Sequence, residues 1–105
     1  YHTRLHLLDP FVHKGRVVYL VTANCLFRRR ALLDVGGFDG RFRVPGGEDP
    51  EVCFRLLKAG WTLEAELTAT VRHHYSRSIR SFTRTFFRYG RGCRKAMAVL
   101  AADQE

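Results

Sequence analysis

From Gly46 to Leu56 the chain reads Gly-Gly-Glu-Asp-Pro-Glu-Val-Cys-Phe-Arg-Leu, and this run constrains the fold more tightly than any other. Its signals are those of a helix start. Asp49 suits the N-cap, Pro50 suits the first helical position because its φ is preset and its missing N–H goes unused there, and Gly60 ends the helix after Leu56, Leu57 and Lys58. Two adjacent carboxylates, Glu48 and Asp49, are thereby held on a glycine hinge at the mouth of a helix, where a catalytic base would sit. The residues alone leave two readings of Asp49: a helix cap contributing about 1 kcal/mol, or a base. A helix N-terminus lowers a carboxylate's pKa and a like-charged neighbour raises it; the sequence does not say which wins.

Around this helix the chain alternates strand-like and helical patterns. Residues 17–27 are nearly continuously apolar, which suits a strand buried on both faces, with Asn24 interrupting near its end. A short helix is expected from Arg28 to Val35, stopped by Gly36-Gly37. Residues 36–48 then carry five glycines and Pro45, a long loop of the kind that tends to be functional. After the Asp49 helix, Trp61–Leu67 alternates as a strand would, and Ala69–Val71 reads as a second short strand ending at His73. From Ser76 to about Ala98 the period becomes helical. Ile79, Phe82, Phe86, Tyr89, Cys93 and Met97 form an apolar face, and Arg77, Arg80, Arg84, Arg88, Arg91 and Lys95 a cationic one on the opposite side. Gly90 and Gly92 weaken this helix by roughly 1 kcal/mol each against alanine, which predicts a break or kink there.

Composition sets the limits. A chain of 105 residues makes at most one small domain, burying about 65% of its unfolded surface. It has neither a run of about 18 apolar residues nor a signal-peptide pattern, and its start at Tyr1 reads as cut from something longer. Cys25, Cys53 and Cys93 are an odd number at wide spacing, expected as free buried thiols, which favours a reducing, cytoplasmic setting. His2 and His6 have the spacing of a helical metal site without a third ligand nearby, and read as terminal tail. Net charge is +8, and no acidic residue falls between Glu66 and Asp103. Fifteen arginines against three lysines make a basic, aromatic-laced block, open to two non-enzymatic readings: a nucleic-acid-binding module or a membrane-surface module. No helix-turn-helix, zinc or RNP-type motif supports the first.

Five motifs occur in a fixed order: Thr22-Ala23-Asn24-Cys25-Leu26-Phe27-Arg28-Arg29, Val35-Gly36-Gly37-Phe38-Asp39, the Glu48-Asp49 helix, Val71-Arg72-His73, and Phe87-Arg88-Tyr89-Gly90-Arg91-Gly92. Over roughly residues 17–92 this resembles the C-terminal half of family-2 glycosyltransferases. The resemblance implies an α/β chain forming the C-terminal portion of a GT-A fold: a small mixed sheet with flanking helices and a C-terminal amphipathic basic helix. Its parts would be a lead-in over 1–16, a partial GT-A domain over 17–75 and the basic helix and tail over 76–105. It also implies transfer of a sugar, with inversion, from a nucleotide-diphosphate donor to an acceptor hydroxyl, the acceptor being lipid-linked in many relatives, usually with a divalent metal, Mn²⁺ or Mg²⁺. By the resemblance Asp49 is the base, with Glu48 beside it at the acceptor, Asn24 and Gly47 lie on the acceptor side, and His73 completes a metal site begun by an Asp-x-Asp. These 105 residues contain no Asp-x-Asp, so the segment alone is expected to be inactive. Thr85-Phe86-Phe87-Arg88-Tyr89 is similar to the Gln-x-x-Arg-Trp motif of processive members, which places Arg88 at the diphosphate end. Thr85 and Tyr89 depart from that motif and favour single addition over polymer synthesis. Arg88 also reads as one more member of a solvated cationic face, and Asn24 as an asparagine satisfying a loop. An unpaired sheet edge predicts a homo-oligomer, and the basic helix predicts peripheral contact with an anionic membrane.

Overall fold

The computed structural model describes residues 10–74 and 78–103; His2, His6 and Arg77 lie outside them. Part of the expected lead-in is a hairpin, formed by β1 (Phe11–His13) and β2 (Arg16–Tyr19). Its two-residue loop has φ 49° at Lys14 and 75° at Gly15, the positive pair whose twist suits antiparallel strands. Val12 pairs with Val17 and His13 with Arg16, and the register shifts between Phe11 and Val12. This two-stranded antiparallel ribbon is the sheet of the described residues, in place of the expected mixed sheet.

The strand expected over 17–27 ends at Tyr19 and gives way to a 3₁₀ turn at Thr22–Asn24. Residues 61–71 form no ladder. The alternation holds only at the start: Trp61 and Leu63 pack against the core while Thr62 and Glu64 are exposed, and residues 65–71 are all exposed. A strand needs a neighbour to take its backbone hydrogen bonds, and among the described residues none pairs with this segment.

Three helices follow their local signals closely: α1 (Arg29–Asp34), α2 (Glu48–Lys58) and α3 (Ile79–Ala102). Both α1 and α2 close by the paired carbonyl capture of a Schellman motif. After α2, Gly60 N–H donates to Leu57 O at 3.0 Å and Trp61 N–H to Leu56 O at 3.0 Å; after α1, Gly36 and Gly37 donate to Leu33 O and Leu32 O at 3.1 and 2.7 Å. The start of α2 differs from expectation. Gly47, at φ 93°, is the N-cap, its carbonyl accepting from Glu51 N–H at 3.2 Å. Asp49 is therefore the second helical residue and Pro50 the third, still within the turn whose N–H groups lack intrahelical acceptors. The glycine hinge takes the capping position and frees the Asp49 carboxylate from it.

The core is small: Ala31, Val52, Cys53 and Leu56 are buried, with Tyr19, Leu20, Phe27 and Trp61 packed around them. Helix α2 lies against both β2 and α3. Glu51 is fully buried on α2 and is paired with Arg55 through two bonds, 2.5 and 2.7 Å. The same guanidinium donates to Gly37 O at 2.8 Å and to Val35 O, clamping the start of the long loop onto α2. The far side of that loop is tied to α3: Arg41 bonds Asp39 at 2.7 Å and Asp103 at 3.0 Å, and Lys95 donates to Arg41 O with its ammonium 5.2 Å from the Phe42 ring centroid.

Helix α3 runs for 24 residues without a break at Gly90 or Gly92, its N-cap Ser78 accepting from Ser81 N–H at 3.4 Å. It docks only partly by the expected face. Ala96 is buried and Ser81, Thr85 and Gly92 are half-buried, whereas Ile79, Phe87 and Met97 are 84%, 69% and 73% exposed. The reason is backbone-to-backbone approach. Gly92 sits against Gly46 and Gly47, and a Cβ on Gly92 would collide with the Gly46 carbonyl and come within 2.8 Å of its Cα. Gly92 therefore sits at the closest approach, with Tyr89 against Gly46 beside it. Of the expected apolar face Phe86 and Tyr89 are half-buried, and the rings also contact one another along the helix, Phe82 and Phe86 at 4.4 Å and Phe86 and Tyr89 at 5.8 Å.

This crossing reverses the usual sign of a glycine substitution. Alanine is favoured over glycine in a helix by about 1 kcal/mol, and Gly90, with nothing near its would-be Cβ, should gain stability when replaced by alanine. Gly92→Ala should instead lose about 1–3 kcal/mol through overpacking. Urea unfolding of the two variants checks this, and equal behaviour would mean that the crossing has room to give.

Candidate active site

Four elements converge on the mouth of α2: β2 brings Tyr19, the 3₁₀ turn brings Thr22, α2 begins with Glu48 and Asp49, and α3 crosses at Gly46–Gly47 with Arg88 and Cys93 nearby in sequence. The two carboxylates have different partners. Glu48 Oε2 accepts from the Gly46 N–H at 2.5 Å, turning back to steady the hinge. Asp49 Oδ1 accepts from the Thr22 hydroxyl at 2.6 Å, across a separation of 27 residues.

Asp49 is half-buried, and its carboxyl is held above the ordinary aspartate range. Burial is the main cause, opposed by hydrogen bonding from Thr22 and reinforced by Glu48. Between the helix end and the neighbouring charge, the two influences weighed from sequence, the decision falls to a third, desolvation. The same surroundings push the Tyr19 phenol up to about 12, through burial first and then the negative charge of Asp49. Burial likewise raises the Cys25 and Cys53 thiols, which keeps them protonated at neutral pH. All three cysteines are free, but only Cys53 is buried; Cys25 is half-buried and Cys93 exposed, because it is Gly92 of α3 that meets the hinge.

Gly47 is buried beneath Gly92 and serves as the helix cap. Arg88 is half-buried, with its guanidinium carbon 5.7 Å from the Tyr89 ring centroid, and its Nε is buried without a hydrogen-bond partner among the described residues. That orphaned donor is what an anion would satisfy, and it separates Arg88 from a merely solvated cationic face. Asn24, exposed, donates from Nδ2 to Ala69 O at 2.8 Å, anchoring the 3₁₀ turn to the 61–74 segment. His73 is exposed in that segment. Among the described residues no three His, Cys, Asp or Glu side chains gather as a metal centre. An open cleft of about 470 Å³, lined by residues including Cys25, Phe27, Trp61 and Leu63, includes neither carboxylate in its lining. Thr22 and Tyr19 were not singled out as site residues from sequence; a contact formed only by folding leaves no spacing to read.

The half-buried Asp49 carboxylate on its glycine hinge has the surroundings of a group that could exchange a proton, and the α3 backbone at Arg88 and Tyr89 abuts that hinge at Gly46. The sequence matches the family described as glycosyl transferase family group 2 over residues 3–103, and the chain belongs to that family. It is 34% identical over 95 residues to the pre-mycofactocin glycosyltransferases of Mycobacterium tuberculosis strains CDC 1551 / Oshkosh and ATCC 25618 / H37Rv, matches that cover 90% of this chain and 20% of each relative. The chain thus spans about a fifth of the length of these curated relatives. No solved structure matches it significantly.

Proposed function

We propose that this segment carries the catalytic base and acceptor side of an inverting GT-A glycosyltransferase. Asp49 takes the proton of an acceptor hydroxyl as that oxygen attacks the anomeric carbon of a nucleotide-diphosphate sugar; the bond to the diphosphate breaks and the nucleoside diphosphate leaves with its electron pair. Arg88 faces the leaving charge, and Asn24 and Gly47 shape the acceptor side. The observation that carries the reading is the Asp49 carboxylate, freed from capping by Gly47 and held by Thr22 at 2.6 Å. The resemblance implies Mn²⁺ or Mg²⁺ with His73 as one ligand. The described residues do not assemble a centre for it by themselves. Donor recognition is assigned to parts of the protein outside these 105 residues, so the segment alone should not turn over.

The test is the stereochemistry of one turnover by the full-length protein, supplied with nucleotide-diphosphate sugars and, as a first acceptor, the one in the relatives' name. NMR of the product should show the anomeric configuration inverted. Retention would overturn the reading, and the departures at Thr85 and Tyr89 lead us to expect a single sugar added.

The exposed arc of α3 favours one accompanying role. Ile79, Phe87 and Met97 face solvent next to Arg80, Arg84 and Arg91, and no acidic residue lies between Glu66 and Asp103. This suits peripheral contact with an anionic membrane during transfer to a lipid-linked acceptor, although no helix of the described residues is long and apolar enough to cross one. Co-sedimentation with phosphatidylglycerol vesicles should exceed that with phosphatidylcholine and weaken in high salt. A homo-oligomer through the same arc would show instead as a multiple of the chain mass in light scattering.

A further inference from the structure

Thr22 is a residue to which no role has been assigned, yet it makes the one side-chain hydrogen bond that reaches Asp49 among the described residues. We propose that Thr22 is a positioning residue for glycosyl transfer, holding Oδ1 of Asp49 so that the other carboxylate oxygen is presented to the acceptor hydroxyl in one orientation. This rests on the reading of Asp49 as the base.

The geometry argues for positioning beyond simple stabilisation. An aspartate in the first turn of a helix ordinarily spends its oxygens on free N–H groups, but the side-chain hydrogen bond of Asp49 runs to the Thr22 hydroxyl. Gly47 and Glu48 meet the needs of the hinge, leaving Asp49 to turn toward a different element. The element that receives it is itself fixed. Asn24 N–H donates to Val21 O at 3.3 Å, and the Asn24 amide is tied to Ala69 O at 2.8 Å. Thr22 therefore stands on a turn anchored on its far side, which is what a support for a reacting group requires, since about 1 Å of misplacement costs on the order of 10²-fold in rate.

The bond also tunes the base. The ionisable groups around it are Glu48 and Cys53 on α2, Tyr19 on β2 and Cys25 beyond the turn, while Cys93 of α3 acts on Tyr19 and α3 meets the hinge through the backbone at Arg88, Tyr89 and Gly92. Burial holds the Asp49 carboxyl up and Thr22 pulls it down. Removing the hydroxyl lets it rise further, so the acid limb of the pH–rate profile, where the base becomes ionised, should move to higher pH.

The experiment compares Thr22→Val, Thr22→Ala and Thr22→Ser in the full-length protein. Valine and alanine should lower kcat by about 10- to 100-fold with donor KM unchanged and the acid limb displaced upward. Serine, which keeps the hydroxyl, should restore both. In an Asp49→Asn background, Thr22→Ala should cost nothing more, because its effect passes through the missing carboxylate. If valine disrupts folding, alanine and serine carry the comparison. Wild-type kcat and an unmoved acid limb in Thr22→Ala, with Asp49→Asn inactive, would overturn the positioning role and leave the base in place. A fully active Asp49→Asn would overturn both.

Discussion

Replacing Asp49 with asparagine in the full-length protein is expected to lower kcat by about 10²- to 10⁴-fold while nucleotide-sugar affinity stays near wild type. The amide keeps an oxygen to accept from Thr22 and removes only the capacity to take a proton. Loss of fold cannot account for the deficit, and the sign of the linkage shows why. The Asp49 carboxyl is raised in the folded chain, so its ionised form is disfavoured by folding. Its contribution is most favourable at low pH and is lost as pH rises past its unfolded value toward its folded one. Deleting the charge should therefore leave stability at neutral pH unchanged or higher. Single-turnover sugar transfer, together with a thermal melt, reads both halves of the expectation. Glu48→Gln should cost less, because Glu48 is engaged with the Gly46 N–H; the reverse ranking would move the base to Glu48.

Arg55→Ala is expected to destabilise the fold by about 3–5 kcal/mol, the usual cost of leaving a buried charge without its partner. Glu51 is fully buried and both its oxygens are bonded to Arg55. The alanine variant also strands the Val35 and Gly37 carbonyls. A loss of that size is a large part of the stability of any small domain. The two contributions can be separated. Glu51→Leu with Arg55→Met removes the stranded charge as well as the arginine and should recover most of the loss, leaving a deficit of about 1 kcal/mol for each orphaned carbonyl. Urea unfolding midpoints measure all three chains. An Arg55→Ala midpoint equal to wild type would show that Glu51 finds other solvation.

Local rules made the helices legible. Gly36 and Gly60 mark the ends of α1 and α2 within a residue or two, since a left-handed cap is a property of the residue itself. The hinge at Gly46-Gly47 was also legible, although Gly47 takes the N-cap position for which Asp49 has the suitable side chain. What depends on a partner was not. The alternation of residues 61–67 predicts the inward turn of Trp61 and Leu63 but not the exposure of Leu67, and a ladder requires a second strand. The docking face of α3 was only partly legible, because hydrophobic periodicity counts large residues: Phe86 and Tyr89 are half-buried as it predicts, whereas the deepest positions are Gly92 and Ala96. Gly92 read as a weak point in a helix and is instead where two backbones meet. Of the site, Asp49 and Glu48 were visible as an adjacent pair, but the division of labour between them came from Thr22 and Gly46.

The loop ahead of the carboxylates is fastened at its start by Arg55 and on its far side by Arg41 and Lys95, and it ends wedged under α3 at Gly46. Only Arg43, Val44 and Pro45 lie exposed between the last tether and the wedge. Chain length can thus vary at that one place without disturbing the base. That short exposed stretch is where residues should be gained or lost at least cost to the contact between Asp49 and Thr22 behind it.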